Sequence, residues 1–341
     1  MSTEQKRAIV ALTLVVETCN AVLNPNAISE PSETQTLEII HRDLVSLLSL
    51  LYAAVTKVSL VLKPAKPAYQ AALAPLKDLS DHSSALFHCS RHFLPEVHGA
   101  TLVQEIEFLV KDAMEAIRAL AQCFLDVESS GIRTASGQAG DEYMVRTATA
   151  HTVLKRDVST NNLAAVRKRW SNDAASLEDG YREVGEMIED ADSLDEEEDG
   201  FDDGWDELGL GKSQQLDPDE LERTKKIHGI LRLVQPLHKR ILTDVLPLSS
   251  LDIATLDALA SESRALLCAS DELVAALYAP QNAAAIRTEL TAFRAVLGQL
   301  ELLLNPLESQ LANLTLGSSS AKKWIDTCFA QVYKAVDVVL G

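Results

Sequence analysis

"SETQTLEIIHRDLVSLLSLLYAAVTKVSLVLKPAKP", residues 32–67, reads as one long amphipathic helix with its own start and stop signals. Leu37, Ile40, Leu44, Leu47, Leu51, Val55, Val58 and Leu62 recur every three or four positions, the spacing that lines one face of an α-helix. Ahead of them, Ser32 and Gln35 have the spacing of a capping box, in which the serine oxygen accepts from a free N–H and the glutamine reaches back. Pro64 and Pro67 end the pattern, because proline has no N–H to continue the ladder. About seven turns of unbroken stripe is longer than an ordinary globular helix and suits a bundle of long helices.

The same period continues in both directions. Residues 6–17 read as an amphipathic helix rather than a secretory leader, since Glu17 directly follows Ala8–Val16. The segment 67–93 contains Pro75 and is expected to be kinked or split. Leu102, Ile106, Leu109, Ala113, Ile117, Leu120 and Phe124 mark a helix over about 100–127, followed by the polar loop "ESSGIRTASGQAGDE" at 128–142. Helical pattern resumes near Tyr143, with Leu163, Val166, Trp170, Leu177, Tyr181, Val184 and Ile188 inward. At "DPDE", Asp217 caps a new helix, Pro218 takes its first position and Glu220 closes the box. Further helices are expected near 219–243, 250–278, 282–304 and 320–340.

No run of alternating β-branched residues is long enough for a strand, and no fixed-period repeat is visible. The expectation is an all-α protein: an N-terminal bundle over 1–189, an acidic disordered linker over 190–216 and a C-terminal bundle over 217–341. With 341 residues, 47% hydrophobic and only 5% aromatic, the cores should be leucine and alanine packing. Five widely spaced cysteines without a CxxC suit reduced thiols in cytosol or nucleus. The apolar run Leu44–Val55 is too short to cross a bilayer, so no membrane span is expected.

The net charge of −19 is concentrated in one place. From Glu186 to Glu207 there are 13 Asp and Glu and no Lys or Arg, leaving only about −6 for the rest. Nucleic acid is disfavoured as a partner, because phosphates require a basic surface. Within this segment, Asp195, Glu197, Asp199, Gly200 and Asp206 nearly spell a calcium loop. However, the twelfth position wants the longer Glu, Glu207 comes one residue late, and Asp202 occupies the apolar eighth position. "GLGKS" at 209–213 fails as a phosphate loop, since Asp206 stands where a glycine is needed and carboxylates surround it.

What remains is an acidic stretch with apolar anchors. Phe201, Trp205 and Leu208, among Asp202, Asp203 and Asp206, suit a docking segment that attracts a basic protein and then folds on its surface. The competing reading is a solvated linker with incidental aromatics. Ser193, with Glu196 three residues on, and Ser176, with Asp179, have the spacing that casein kinase 2-like enzymes accept.

A second cluster is "DHSSALFHCSRHF", 81–93, where His88 and His92 lie one helical turn apart beside Cys89. Three donors are one short of a structural zinc site, and exposed histidines around a buried cysteine is the simpler reading. Neither GxSxG, HExxH nor GxGxxG occurs, so no catalytic residue, metal or cofactor is assigned. Trp170 and Trp324 lie at core spacing.

"VHGATL" (97–102), "DELVAALYAPQN" (271–282) and "KKWIDTCFAQVYKAV" (322–336), in this order around an acidic linker, resemble the cyclin-D1-binding protein 1 (Grap2 and cyclin-D-interacting protein) family. The resemblance implies all-helical bundles akin to those of vinculin and α-catenin. It also implies a non-enzymatic regulator of the cell cycle, nuclear and cytoplasmic, acting through protein contacts, with a cyclin as partner. Two other readings stay open: an acidic escort for a basic client such as a ribosomal protein or histone, and a metal-dependent enzyme using His88, Cys89 and His92.

Overall fold

The computed structural model describes residues 1–24, 35–130, 141–193, 216–248, 251–307, 315–316 and 319–341. The architecture is all-α. The helices are α1 (Thr3–Leu23), α2 (Leu37–Val61), α3 (Tyr69–Ser90), the single turn α4 (Pro95–His98), α5 (Ala100–Ser130), α6 (Glu142–Leu154) and α7 (Asn162–Ser193). After these come α8 (Pro218–Arg240), running into a π turn at Ile241–Val245, then α9 (Ile253–Ala275), α10 (Ala283–Leu304) and α11 (Ala321–Leu340). Among the described residues the only strand pairing is a two-residue antiparallel rung, Thr315–Leu316 against Ser319–Ser320.

The chain divides into two compact units, residues 1–165 and 166–341. In the first, α1 packs on α3 and α5, α2 on α3 and α6, and α5 on α6. The long stripe of α2 is spent there: Ile40, Leu44, Leu48, Leu51, Val55 and Val58 are buried. Leu48 takes the inward place expected of Leu47, a one-position rotation within the stripe. By length and composition α2 is apolar enough to cross a membrane, and its apolar run extends well beyond Leu44–Val55. In this fold one face of that run lies in the bundle core, while Val45, Leu50 and Leu60 on the other side are exposed.

Three boundaries differ from the sequence reading. Ser32 lies outside the described residues, and α2 starts instead from Thr36, which makes no side-chain cap. Around Pro75 the helix is not split: α3 carries it buried inside one continuous helix. At the other end, α7 continues through 190–193, where Asp192 pairs with Lys225 at 2.9 Å. The charge pattern predicts disorder from residue 190, but α7 runs on to Ser193 and Asp192 has a cation within reach. Residues 194–215 lie outside the description.

The second unit contains α7 from Val166 onward, with α8 to α11. The unit boundary at Ala165 therefore falls well before residue 189. Trp170 explains why: it is fully buried, its ring stacks on His238 of α8 at 4.4 Å and its indole N–H donates to the His238 carbonyl at 2.9 Å. The capping box at the start of α8 forms as expected, Asp217 accepting from Glu220 and Glu220 from the Asp217 N–H. Trp324, expected in the core, is half-buried with the Arg240 guanidinium 4.9 Å above its ring.

Candidate partner-binding sites

The residues singled out in the sequence separate in space. Phe201, Asp202, Asp203, Trp205, Asp206 and Leu208 lie outside the described residues. Ser176 is exposed on α7, three residues before the Asp179–Arg182 ion pair, and Ser193 is the last residue of that helix. His88 is exposed, while the Cys89 thiol donates to the Ile40 carbonyl at 3.6 Å. Burial, with the Asp43 carboxylate nearby, pushes that thiol up to about 11, so it is a poor source of metal-binding thiolate. Among the described residues no group of three His, Cys, Asp or Glu is placed to hold a metal. The structure thus does not assemble His88, Cys89 and His92 into a centre.

One buried constellation has the residue types of a hydrolase triad in the wrong order. The Ser263 hydroxyl donates to Asp173 at 2.8 Å, and His238 Nε2 lies 2.9 Å from the same oxygen. Ser263 has one proton and gives it to the carboxylate, so Nε2–H must be the donor to Ser263. A nucleophilic serine needs the reverse, with histidine accepting the hydroxyl proton. Ser263 is also fully buried, out of reach of a substrate. These residues tie α7, α8 and α9 together. Burial pulls His238 down to about 4, keeping it neutral, and its Nδ1 is buried without a partner.

A second polar joint lies at the start of α8. Glu220 accepts from the Gln281 N–H at 2.6 Å, and the Gln281 side chain donates to Thr224 at 2.9 Å. In the first unit, the α4–α5 joint is built on Gly99, whose φ is +95°. A glycine before a helix brings no capping oxygen, and here Asn162 supplies one: its Oδ1 accepts from the Leu102 N–H at 3.1 Å.

A surface shaped to receive a partner lies in the first unit. A groove of about 380 Å³ opens where the ends of α1 and α3 meet α4 and α5. Its walls are Val22 and Leu23 of α1, Phe87 of α3, Phe93 beyond it, and Val103 and Val110 of α5. Arg91, Glu107 and Lys111 are its charged groups. The groove was missed in the sequence although Phe87, Arg91 and Phe93 belong to the same thirteen residues read for their histidines. The available signal was the apolar residues at helical spacing carrying one arginine.

Residues 43–190 match the family model for Grap2 and cyclin-D-interacting proteins, N-terminal, and residues 201–302 match the C-terminal model of the same family. No curated protein matches the chain.

Proposed function

Because the chain belongs to the Grap2 and cyclin-D-interacting family, we propose that it is a non-enzymatic helical adaptor in cell-cycle control, acting in nucleus and cytoplasm. The partner class suggested by the family description is a D-type cyclin. The observation that carries this reading is the match of both family models to one chain, one on each side of residues 191–200. The test is direct binding between the purified chain and a purified D-type cyclin, with an A-type cyclin as control. Saturable binding to the first and none to the second is expected; equal or no binding to both would overturn the cyclin assignment.

A second reading rests on a separate observation, the 13 Asp and Glu with no Lys or Arg among them from Glu186 to Glu207. Such a field suits the escort of a basic protein, a histone or ribosomal protein. In both readings residues 201–208 act as a docking segment. Carboxylates Asp202, Asp203 and Asp206 speed encounter, and Phe201, Trp205 and Leu208 hold the partner by burying apolar area. Trp205→Ala should weaken binding by about 1–3 kcal/mol, mainly through faster dissociation. Changing the three aspartates to Asn should instead slow association and flatten its salt dependence, since the Debye length shortens from about 10 Å at 0.1 M to about 3 Å at 1 M. Stopped-flow kinetics at several salt concentrations separates the two. Wild-type behaviour in both variants would reduce this stretch to a linker.

Phosphorylation by an acidophilic kinase fits the exposed Ser176 and the helix-terminal Ser193. Phosphate at Ser193 adds negative charge within the acidic run and should raise the association rate with a basic partner. Intact-mass and peptide mass spectrometry of native protein would show the modified forms; two unmodified serines would contradict the idea.

A further inference from the structure

We infer that the groove at the α1–α3–α5 end of the first unit is a docking site for an amphipathic helix of a partner protein, which seats large apolar side chains against Phe87, Phe93 and Val110 and sets a carboxylate on Arg91. Three observations carry this beyond the family assignment.

The first is the arginine. Among the described residues the Arg91 side chain makes no hydrogen bond or ion pair, and its Nε is buried without an acceptor. A guanidinium in an apolar wall presents a rigid fork of donors that matches a carboxylate better than any neutral group, so an empty fork marks the place of an anion. Lys111, at the edge of the groove, also has no ion-pair partner among the described residues. Glu107 lies one turn before it on α5 and offsets that second charge, which leaves Arg91 as the group that sets the sign.

The second observation is size. About 380 Å³ lies at the lower end of the range for ligand pockets and holds a few side chains rather than a folded domain. The third is that the apolar surface does not stop at the groove. Phe108, one helical turn before Lys111 on the same side of α5, stands 65% exposed. A small molecule within the groove would leave that ring in water, whereas a helix lying along α5 covers it. Exposed aromatics beside an apolar pocket are typical of helix-in-groove recognition.

The chemistry is opposite in sign to that of residues 201–208, which seek a basic surface. The two sites can therefore fail independently in experiment. The groove is tested by selecting a library of random 16-residue peptides on the full-length chain and, in parallel, on Arg91→Glu and Phe108→Ala. Circular dichroism confirms that each variant is folded, and Phe108→Ala, at an exposed position, provides a second readout if Arg91→Glu does not fold. Sequences enriched on wild type should carry two or three large apolar residues at i, i+3 or i+4 and i+7 with an acidic residue among them. A winning peptide should bind Arg91→Glu about tenfold or more weakly and recover on that variant when its acidic residue is changed to Lys. It should bind the Asp202/Asp203/Asp206→Asn variant as it binds wild type. Enrichment of basic or non-helical sequences, or equal affinity for wild type and both variants, would overturn the proposal. So would competition by an alkyl carboxylate with no helical peptide enriched, which would make the groove a small-molecule site.

Discussion

Gly99→Ala should be among the most damaging single substitutions in the first unit, costing about 3 kcal/mol or more. Two effects act together. At φ +95° and ψ 137° the backbone lies in a region that glycine alone occupies easily, and a side chain there costs about 1–3 kcal/mol. The added Cβ would also sit 2.0 Å from Asn162 Cγ and 2.2 Å from its Oδ1. Asn162 is buried and its oxygen caps α5, so it cannot move aside without releasing the Leu102 N–H. Urea denaturation followed by circular dichroism measures the loss. Asn162→Ala alone should cost about 1 kcal/mol, the value of a cap. The double variant should be more stable than Gly99→Ala, because removing the amide empties the space the new Cβ needs. Simple additivity would mean that the two residues do not compete for that space.

Acid should weaken the second unit through His238. Its folded value is about 4 against 6.5 for the free side chain, because burial disfavours the charged ring. The unfolded chain therefore binds a proton that the folded chain refuses. Stability is fully present above pH 6.5 and is lost as pH falls from 6.5 towards 4, by about 3 kcal/mol in all. His228 in the same unit is also lowered by burial and adds in the same direction, while His98 and His151 act likewise on the first unit. Urea midpoints at pH 7.5, 5.5 and 4.5 should fall more steeply for wild type than for His238→Gln, which has nothing to titrate there. A ring resonance of His238 that shifts near pH 6.5 in the native protein would contradict this account.

How much of this was legible depends on how local the cause is. The α2 stripe and the Asp217–Pro218–Glu220 start of α8 were readable because all their causes lie within a few helical turns. The network joining Asp173, Ser263 and His238 was not, since its members are 90 and 25 residues apart and nothing in their neighbourhoods marks them as partners. Charge composition and packing mark different places in the chain for the same reason: composition changes near residue 190, whereas the packing units divide at Ala165. Two of the stretches that suggested the family turn out to hold joints, Gly99 in "VHGATL" and Gln281 in "DELVAALYAPQN". Such motifs record where helices must meet, and so they identify a fold without indicating a reaction. For the candidate sites, the aromatic-acidic stretch was visible as composition. The groove, built from three separate helices and a turn, appears only when those elements meet.

The place of α7 has a consequence for the covalent chain. Val166, Trp170, Leu177 and Val184 bury that helix in the second unit, each large apolar side chain contributing about 1.5–3 kcal/mol. A protease that nicks the chain anywhere in 194–215 would leave α7 on the N-terminal piece while its packing partners belong to the other. The pieces would then behave as complementing fragments, two bands on a denaturing gel and one particle in native buffer. Conversely, a fragment begun at residue 201 would lack the helix that fills its own interior, leaving a trough lined by His238, Ser263 and the leucines around them.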